Sequence, residues 1–271
     1  MNTFLEIMCF GILRNDMFAM AESTRLVVIV IGFLLVMLSA YLLGSINFAI
    51  LISGKRYHED IRTHGSKNAG MTNMMRTYGK KAAAMTLLGD AFKAVVAILI
   101  GYLFLGQLGA DLAALFCVIG HMFPIFFHFR GGKGVVTVAA SILMTNPVVF
   151  VILLLIFAII VLGTKYISLG SIMCMLFYPL FLKAFPIFGY YSPHELFAVL
   201  MALLVIAKHY DNIRRLWQGK ENKFSFKKSK PATDTAVAEE TIVGESYEPL
   251  PEGKAVSKKK NLHKNYEKKK K

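Results

Sequence analysis

Three short polar segments of the sequence carry residue types that bind phosphate groups. The first segment, residues 64–80, contains hydroxyl and carboxamide donors followed by an arginine. Its candidate binding residues are His64, Ser66, Asn68, Thr72, Asn73 and Arg76. Small residues let backbone N–H groups approach an anion closely, and the arginine fork matches the geometry of a phosphate. The alternative is a solvated basic loop, because glycine, serine and asparagine also build ordinary turns.

The second segment, residues 129–134, places glycines and a lysine directly before a short apolar stretch. Gly131, Gly132 and Gly134 flank Lys133. Free N–H groups and the helix dipole make a glycine-rich helix N-terminus a site for anions. The spacing differs from the GxxxxGK[ST] loop of nucleotide-binding proteins. The alternative is a glycine turn between two membrane helices, with Lys133 extending to the membrane surface.

The third segment, residues 208–221, follows the last apolar run. His209 and Asn212 precede Arg214 and Arg215 within one short stretch, and these groups could converge on a bound anion. The alternative is the end of a membrane helix followed by a basic helix at the membrane surface. No group of His, Cys, Asp and Glu residues has the spacing of zinc ligands, so we expect no metal ion and no cofactor.

The composition requires a lipid-facing surface around these segments. Of the 271 residues, 55% are hydrophobic, and the mean hydropathy is +0.52, whereas soluble domains are about 45–50% apolar. A helix needs about 20 apolar residues to cross the hydrocarbon core. The candidate membrane helices are residues 26–53, 81–106, 110–127, 147–163, 167–185 and 194–208. Residues 134–144 are too short to span alone and are predicted to form a half-helix that begins in a polar cavity.

These runs predict an all-α, polytopic membrane protein with seven transmembrane helices, one of them short. Lys and Arg are concentrated in the odd-numbered connections and in the tail. Because positive charge stays on the cytoplasmic side, the N-terminus is predicted outside and the C-terminus in the cytoplasm. All three polar segments then face the cytoplasm. We divide the chain into an N-terminal extension (1–25), a membrane domain (26–216) and a basic, disordered cytoplasmic tail (217–271).

The formal net charge of +14 does not by itself indicate nucleic-acid binding. Residues 220–271 contain 14 Lys against 8 Asp or Glu, and much of the remaining excess lies between apolar runs. This distribution is typical of membrane topology, so we expect no nucleic acid as a partner. We expect the tail to contact anionic lipid, and the protein is compatible with a monomer.

A few ionisable residues lie inside the apolar runs. Asp90 and Lys93 are three positions apart, so they can pair on one helix face. Each such group costs about 2.5–3.5 kcal/mol at mid-membrane, so both should face protein. For Asp90 and Lys93 we favour a structural ion pair over a catalytic role. For His121 we favour a packed, hydrogen-bonded histidine over a catalytic base.

The three polar segments resemble, in the same order, the motifs of a known family. HGSKNAGMTNMMRTYGKK at residues 64–81 is similar to HGSGNxGATNxxRTxGKK, and GHMFPIFFHFRGGKGVVT at residues 120–137 is similar to GHxFPxFxxFKGGKGVAT. HYDNIRRLWQGKE at residues 209–221 is similar to HxxNIxRLxxGxE, and TKYISLGSI at residues 164–172 is a lesser match. These motifs are those of the bacterial acyl-phosphate:glycerol-3-phosphate acyltransferases of the PlsY type. The likeness covers roughly residues 36–225.

The resemblance implies an enzyme of phospholipid synthesis. Such an enzyme transfers a fatty acyl group from acyl phosphate to the 1-hydroxyl of sn-glycerol 3-phosphate, giving lysophosphatidic acid and phosphate as the first committed step. It also implies a multi-pass protein of the bacterial cytoplasmic (inner) membrane, with its active site facing the cytoplasm. A small anion transporter or channel is the alternative, but its open path to the outside fits poorly with short, almost uncharged external connections.

The resemblance also implies roles for individual residues. The implied catalytic residues are Ser66, Arg76, Lys133 and His209. The implied substrate-binding residues are His64, Asn68, Thr72, Asn73, Gly131, Gly132, Gly134 and Asn212. By motif, the first segment holds substrate phosphate, the glycines around Lys133 shape the glycerol 3-phosphate site, and the third segment orients the glycerol backbone. Glu221 is expected to be structural.

Nothing in the sequence indicates an acyl-enzyme. No histidine is followed five positions later by an acidic residue, and no GxSxG nucleophile elbow is present. Acyl phosphate already carries a good leaving group, so we expect direct attack on it, with the leaving phosphate or His209 accepting the proton.

Three residues depart from the family pattern. Asn47 replaces a proline at the end of the first helix, so the kink expected there is predicted to be lost. Met71 replaces an alanine. Lys67 replaces a glycine, and it either changes the charge of the phosphate pocket or points outward.

Overall fold

The computed structural model describes residues 21–185 and 194–224, and the regular structure in these ranges is helical. Its α-helices are α1 (Glu22–Ser45), α2 (Phe48–Ile52), α3 (Met71–Tyr78), α4 (Lys80–Met122), α5 (Val135–Thr145), α6 (Pro147–Thr164), α7 (Ile167–Ala184), α8 (His194–Lys208) and α9 (Tyr210–Trp217). A π-helical turn (Ser53–Tyr57) and two 3-10 turns (Ile61–Thr63 and Ile125–Phe127) lie between them. The predicted all-α class is confirmed. Most of the predicted extension and tail lies outside the described residues.

The described helices present an apolar surface suited to lipid. The runs long and apolar enough to cross a membrane are Glu22–Tyr57, Lys80–Phe127, Pro147–Thr164 and Ile167–Ala184. A further candidate is the pair Glu195–Lys208 and Tyr210–Trp217, which bends by 58°. Large side chains such as Leu155 and Ile159 are exposed on these runs, as lipid contact requires. The chain is a multi-pass membrane protein, whereas the count of seven helices and the orientation of the termini stay predictions.

Helix α4 reverses direction in its middle. Leu105 and Gly106 leave the helical conformation, and Gly106 has a φ of 59°. The two arms return antiparallel and touch, since a Cβ on Gly101 would lie 2.2 Å from the Gly109 carbonyl oxygen. The predicted runs 81–106 and 110–127 therefore form one helical hairpin, which brings residues near 90 beside residues near 120.

The chain also bends between α1 and α2, where the family's proline is absent. Asn47 caps α2, because its Oδ1 accepts a hydrogen bond from the backbone N–H of Ile50 at 3.1 Å. Its Nδ2 donates to the Ala69 carbonyl at 3.3 Å and so fixes the first polar segment to the membrane domain. The prediction that the break would be lost is wrong, since asparagine interrupts the helix by capping.

Close packing of α1 against α4 depends on Gly44. A Cβ at this position would lie 2.2 Å from the carbonyl oxygen of Cys117, so the two backbones would have to separate. We expect Gly44→Ala to lower the free energy of unfolding by about 1–3 kcal/mol, measured by thermal unfolding in detergent. Gly54→Ala is the matched control, because a Cβ there meets nothing within 4 Å. Equal stability of the two variants would contradict this packing.

Candidate active site

The three polar segments meet around a cleft of about 270 Å³. The predicted site residues that line it are Ser66, Asn68, Thr72, Arg76, Lys133, Gly134, His209 and Asn212. They come from three distant parts of the chain, so their convergence depends on the packing of the membrane helices. The other predicted site residues, His64, Asn73, Gly131 and Gly132, are not part of this lining.

Asn73 supports the first segment from beneath. Its side chain is fully buried, and its Oδ1 accepts a hydrogen bond from the backbone N–H of Ser66 at 2.9 Å. Its Nδ2 donates to the carbonyls of Ile61 and His64 at 3.1 and 2.9 Å. A Cβ on Gly65, which has a φ of 55°, would lie 2.4 Å from the Asn73 Oδ1. The carboxamide is thus occupied by backbone groups, and it shapes the loop that presents Ser66.

The side chain of His64 faces an acidic group outside the cleft lining. Its Nε2 lies 3.3 Å from Glu59 Oε2. Neither His64 nor Asn73 lines the cleft, and the contacts of both side chains are with other groups of the protein. Their predicted roles in substrate binding stay predictions.

Gly131 and Gly132 pack against the end of α4. Their backbone N–H groups donate to the carbonyls of Met122 and His121 at 3.2 and 3.1 Å. A Cβ on Gly132 would lie 2.1 Å from His121 Nε2, so a larger residue has no room there. The two glycines act as a close support, and the residues that follow them, Lys133 and Gly134, line the cleft.

Glu221 organises the third segment from beyond the predicted domain boundary at residue 216. Its Oε1 accepts hydrogen bonds from Asn212 Nδ2 at 2.7 Å and Ser168 Oγ at 2.9 Å, and its Oε2 accepts one from Arg215 Nε at 2.8 Å. Although burial raises it, the pKa of Glu221 is held below its usual value by these hydrogen bonds. The contacts support the structural role implied for Glu221 and attach residues up to 224 to the membrane domain.

Lys133 connects the second segment to this network. Its Nζ donates to Asn212 Oδ1. Burial lowers the pKa of Lys133 to about 8, although nearby Glu221 opposes the shift. Lys133 is therefore mostly cationic at pH 7 and loses its charge over a range that begins just above it.

Several helices begin at the cleft and give it a positive character independent of side chains. Residues at the starts of α3, α5, α7 and α9 line it, namely Met71, Val135, Ile167 and His209. The N-cap positions of these helices make no side-chain capping bond. Uncapped first turns have backbone N–H groups without intrahelical partners and the positive end of the helix dipole. Their arrangement favours an anion in the cleft.

His209 lies in the bend between α8 and α9 and is 2% exposed. Its Nδ1 is 2.7 Å from the carbonyl oxygen of Val205. A carbonyl only accepts hydrogen bonds, so Nδ1 carries the hydrogen and Nε2 of the neutral ring carries the lone pair. The ring can thus accept a proton at Nε2.

One wall of the cleft is apolar. It includes Phe157 and Val161 from α6, together with Val136 and Phe224. Helix α6 is mostly lipid-facing, since large apolar side chains on it, such as Leu155 and Ile159, are exposed. A cationic end beside an apolar wall suits a molecule with a phosphate head and a hydrocarbon chain.

Sequence reasoning did not place Ser168, Ser171 or Asn222 at the site, although all three line the cleft. The two serines belong to the lesser motif match at residues 164–172, which was the available signal. Asn222 contributes its backbone carbonyl, which accepts a bond from Arg76 Nη2 at 3.4 Å, and a backbone contact leaves no mark in the sequence. Lys67, by contrast, is exposed with a φ of 58°, which explains why glycine is usual there and favours its outward orientation.

Comparisons with known proteins identify the family of this chain. A family model described as glycerol-3-phosphate acyltransferase matches residues 34–219. A glycerol-3-phosphate acyltransferase of Finegoldia magna is 40% identical over 183 residues, which cover 68% of this chain and 91% of that protein. One from Paraburkholderia phymatum is 40% identical over 204 residues, covering 73% and 96%.

Solved structures show the same fold. The chain resembles PlsY (YgiH), an integral membrane glycerol 3-phosphate acyltransferase, in its glycerol 3-phosphate form, with a TM-score of 0.66 and 35% identity over 71% of this chain and 96% of that one. The lysophosphatidic acid form of PlsY gives a TM-score of 0.64, with 34% identity and coverage of 72% and 96%. This chain therefore belongs to the glycerol-3-phosphate acyltransferase family and is an integral membrane acyltransferase of phospholipid synthesis.

Proposed function

We propose that this protein transfers a fatty acyl group from acyl phosphate to the 1-hydroxyl of sn-glycerol 3-phosphate, releasing lysophosphatidic acid and phosphate. The observation that carries the proposal is the convergence of Ser66, Arg76, Lys133 and His209 in one cleft with an apolar wall. Both substrates have a phosphate, and only the acyl donor has a long chain. A cleft with two cationic side chains and an apolar side fits that pair.

Each phosphate has its own group of donors. Arg76, with Ser66 and Asn68, binds the phosphate of the acyl donor, which becomes the leaving group. Lys133, with the N-terminus of α5, binds the phosphate of glycerol 3-phosphate. His209 and Asn212 then orient the glycerol hydroxyl toward the acyl carbonyl. Such positioning of two reactants accounts for a large share of a rate enhancement when the leaving group is already good.

The chemical step needs no covalent enzyme intermediate. The oxygen of the 1-hydroxyl forms a bond to the acyl carbon, and the bond from that carbon to the phosphate oxygen breaks. The leaving phosphate takes the electron pair, and it also accepts the hydroxyl proton directly or through His209 Nε2. Arg76 and the helix N-termini stabilise the negative charge that develops on the leaving oxygen.

We place the reaction at the cytoplasmic face of the bacterial inner membrane. Positive residues flank the cleft on loops that the charge distribution assigns to the cytoplasm. Glycerol 3-phosphate then enters from water, and the acyl chain lies along Phe157 and Val161 toward the bilayer.

The test is an assay of the purified protein in detergent with acyl phosphate and labelled glycerol 3-phosphate, followed by mass spectrometry of the lipid product. We expect lysophosphatidic acid and an equal amount of inorganic phosphate. Parallel reactions with acyl-CoA, or with acyl carrier protein that carries a fatty acyl thioester, should give no lysophosphatidic acid. Product from a thioester donor but not from acyl phosphate would overturn the choice of donor, and no product from any donor would overturn the reaction.

The pH dependence of the reaction should report Lys133. The ammonium group is needed to bind glycerol 3-phosphate, and its lowered pKa of about 8 means that charge is lost as the pH rises through that value. We expect kcat/KM for glycerol 3-phosphate to fall on the alkaline side near pH 8. Lys133→Arg, whose side chain stays charged, should shift that fall to higher pH. Hydrolysis of acyl phosphate without enzyme is measured at each pH, and an unshifted profile in the variant would contradict the assignment.

A further inference from the structure

A buried cluster beneath the cleft, formed by Asp90, Lys93 and His121, has no part in the reaction described above. Asp90 and Lys93 lie on the first arm of α4, and His121 lies near the end of the second arm. All three are less than 5% exposed. Asp90 and His121 reach the cleft lining. Ionisable groups inside a membrane domain are costly and in general mark functional positions.

Lys93 holds several segments at one point. Its Nζ donates to the carbonyls of Gly44 and Ile46 at 2.9 and 2.7 Å, at the end of α1. It lies 2.8 Å from Asp90 Oδ1 on its own arm and 2.9 Å from His121 Nδ1 on the other arm. The ammonium group thus joins the end of α1 to both arms of the hairpin.

The contact with Lys93 fixes the state of the histidine ring. An ammonium group has donors and no acceptor, so His121 Nδ1 must accept. The neutral ring then carries its hydrogen on Nε2, and its orientation is set by Lys93 on one side. Asp90 Oδ1 is 3.5 Å from the same Nδ1, and it balances the lysine charge.

The other side of the His121 ring supports the second anion-binding segment. The Nε2 atom faces Gly132 so closely that a Cβ would lie 2.1 Å away, and the carbonyl of Ala69 would lie 2.6 Å from the same Cβ. The backbone N–H of Gly132 donates to the His121 carbonyl at 3.1 Å. The next residue is Lys133, which enters the cleft. The path from Lys93 to Lys133 is therefore one continuous set of contacts.

We propose that Lys93 and His121 are positioning residues, which set the height and direction of residues 131–134 and thereby place Lys133 for binding glycerol 3-phosphate. The role rests on the proposed function of Lys133 in that site. A buried pair that only stabilised the fold would affect both substrates alike. A pair that places this loop acts on glycerol 3-phosphate in preference to the acyl donor, because Ser66 and Arg76 are held by other contacts.

Two variants test the proposal. Asp90→Asn/Lys93→Met removes both charges together, so that no buried charge is left without its partner. His121→Asn keeps an acceptor for Lys93 but withdraws the ring from Gly132. Ile98→Val, a buried change on the same arm of α4, is the control for a general loss of stability. Thermal unfolding in detergent shows whether each variant is folded.

In each folded variant we expect KM for glycerol 3-phosphate to rise about tenfold to a hundredfold, with KM for acyl phosphate changed less than about twofold. The Ile98→Val control should leave both values near those of the unchanged protein. Equal rises in both KM values, or no rise in either, would overturn the proposal. If the double variant does not fold, His121→Asn alone decides between these outcomes.

The activity of the unchanged protein distinguishes a failure of the positioning role from a failure of the proposed function. If the unchanged protein makes no lysophosphatidic acid, the proposed function fails. If it does and the folded variants keep a normal KM for glycerol 3-phosphate, only the positioning role fails.

Discussion

Arg76→Ala is expected to lower kcat for acyl transfer by about 10²–10³-fold, the range seen when one donor to a developing anion is removed. Arg76 belongs to the last turn of α3 and lines the cleft, where its Nη2 donates to the Asn222 carbonyl at 3.4 Å. In the transition state, negative charge gathers on the phosphate that leaves the acyl group. Loss of the cation therefore acts on the rate more than on substrate binding. Steady-state rates with saturating acyl phosphate measure the effect.

Arg56→Ala is the matched control for Arg76. It removes the same charge from the stretch that precedes α3, but Arg56 is exposed on the π-helical turn. Its turnover should be close to that of the unchanged protein. Arg76→Lys should recover only part of the rate, since a point charge lacks the two-pronged geometry. A folded Arg76→Ala with full turnover would remove Arg76 from the reaction.

Lys133→Met is expected to raise KM for glycerol 3-phosphate by about 10- to 100-fold. This increase corresponds to the loss of the free energy that one hydrogen bond to a charged group contributes to binding. Methionine keeps most of the length of the side chain, so the change removes the charge with little loss of packing. The contact from Lys133 to Asn212 Oδ1 is also lost, and this loosens the connection between the second and third segments. Initial rates over a range of glycerol 3-phosphate concentrations give the value.

Lys81→Met serves as the control for Lys133, because Lys81 is exposed in the first turn of α4. We expect its KM to be unchanged. A normal KM in Lys133→Met would show that the glycerol phosphate is bound by other groups, and the arrangement of the two phosphates would then have to be reversed or abandoned.

The apolar membrane helices could be predicted, and the three polar segments could be proposed as anion sites, because each inference rests on local sequence. Length and apolar composition identify a membrane helix without reference to the rest of the chain. A glycine-rich stretch before a helix likewise indicates an anion site from a few adjacent residues. The family resemblance then singled out Ser66, Arg76, Lys133 and His209 within these segments, and the cleft contains all four.

The direction of a side chain within a loop could not be predicted. Asn73 and Asn68 look alike in the sequence, yet Asn73 turns inward to bond with three backbone groups of its own loop, and Asn68 lines the cleft. The choice depends on which backbone groups need partners, and that follows from the folded path of the chain. The position of His64 outside the cleft lining has the same cause.

Contacts between residues that are far apart in the sequence could not be predicted either. Lys93 and His121 are 28 positions apart and meet only because α4 folds back at Leu105 and Gly106. Ser168 and Glu221 are 53 positions apart and meet because α7 packs against α9 and the residues that follow it. Sequence spacing predicted the Asp90–Lys93 pair, which is present at 2.8 Å, and the fold adds His121 to it from the other arm of α4.

If donors from all three segments surround substrate phosphate in one cleft, an experimental structure with glycerol 3-phosphate bound will show them in contact with the ligand. We predict phosphate oxygens within hydrogen-bond distance, about 2.7–3.2 Å, of the Lys133 ammonium group and of backbone N–H groups at the start of α5. The glycerol hydroxyls should lie beside His209 and Asn212, with Arg76 facing the position of the second phosphate. Glycerol 3-phosphate bound away from this cleft, or held by one segment alone, would contradict the account.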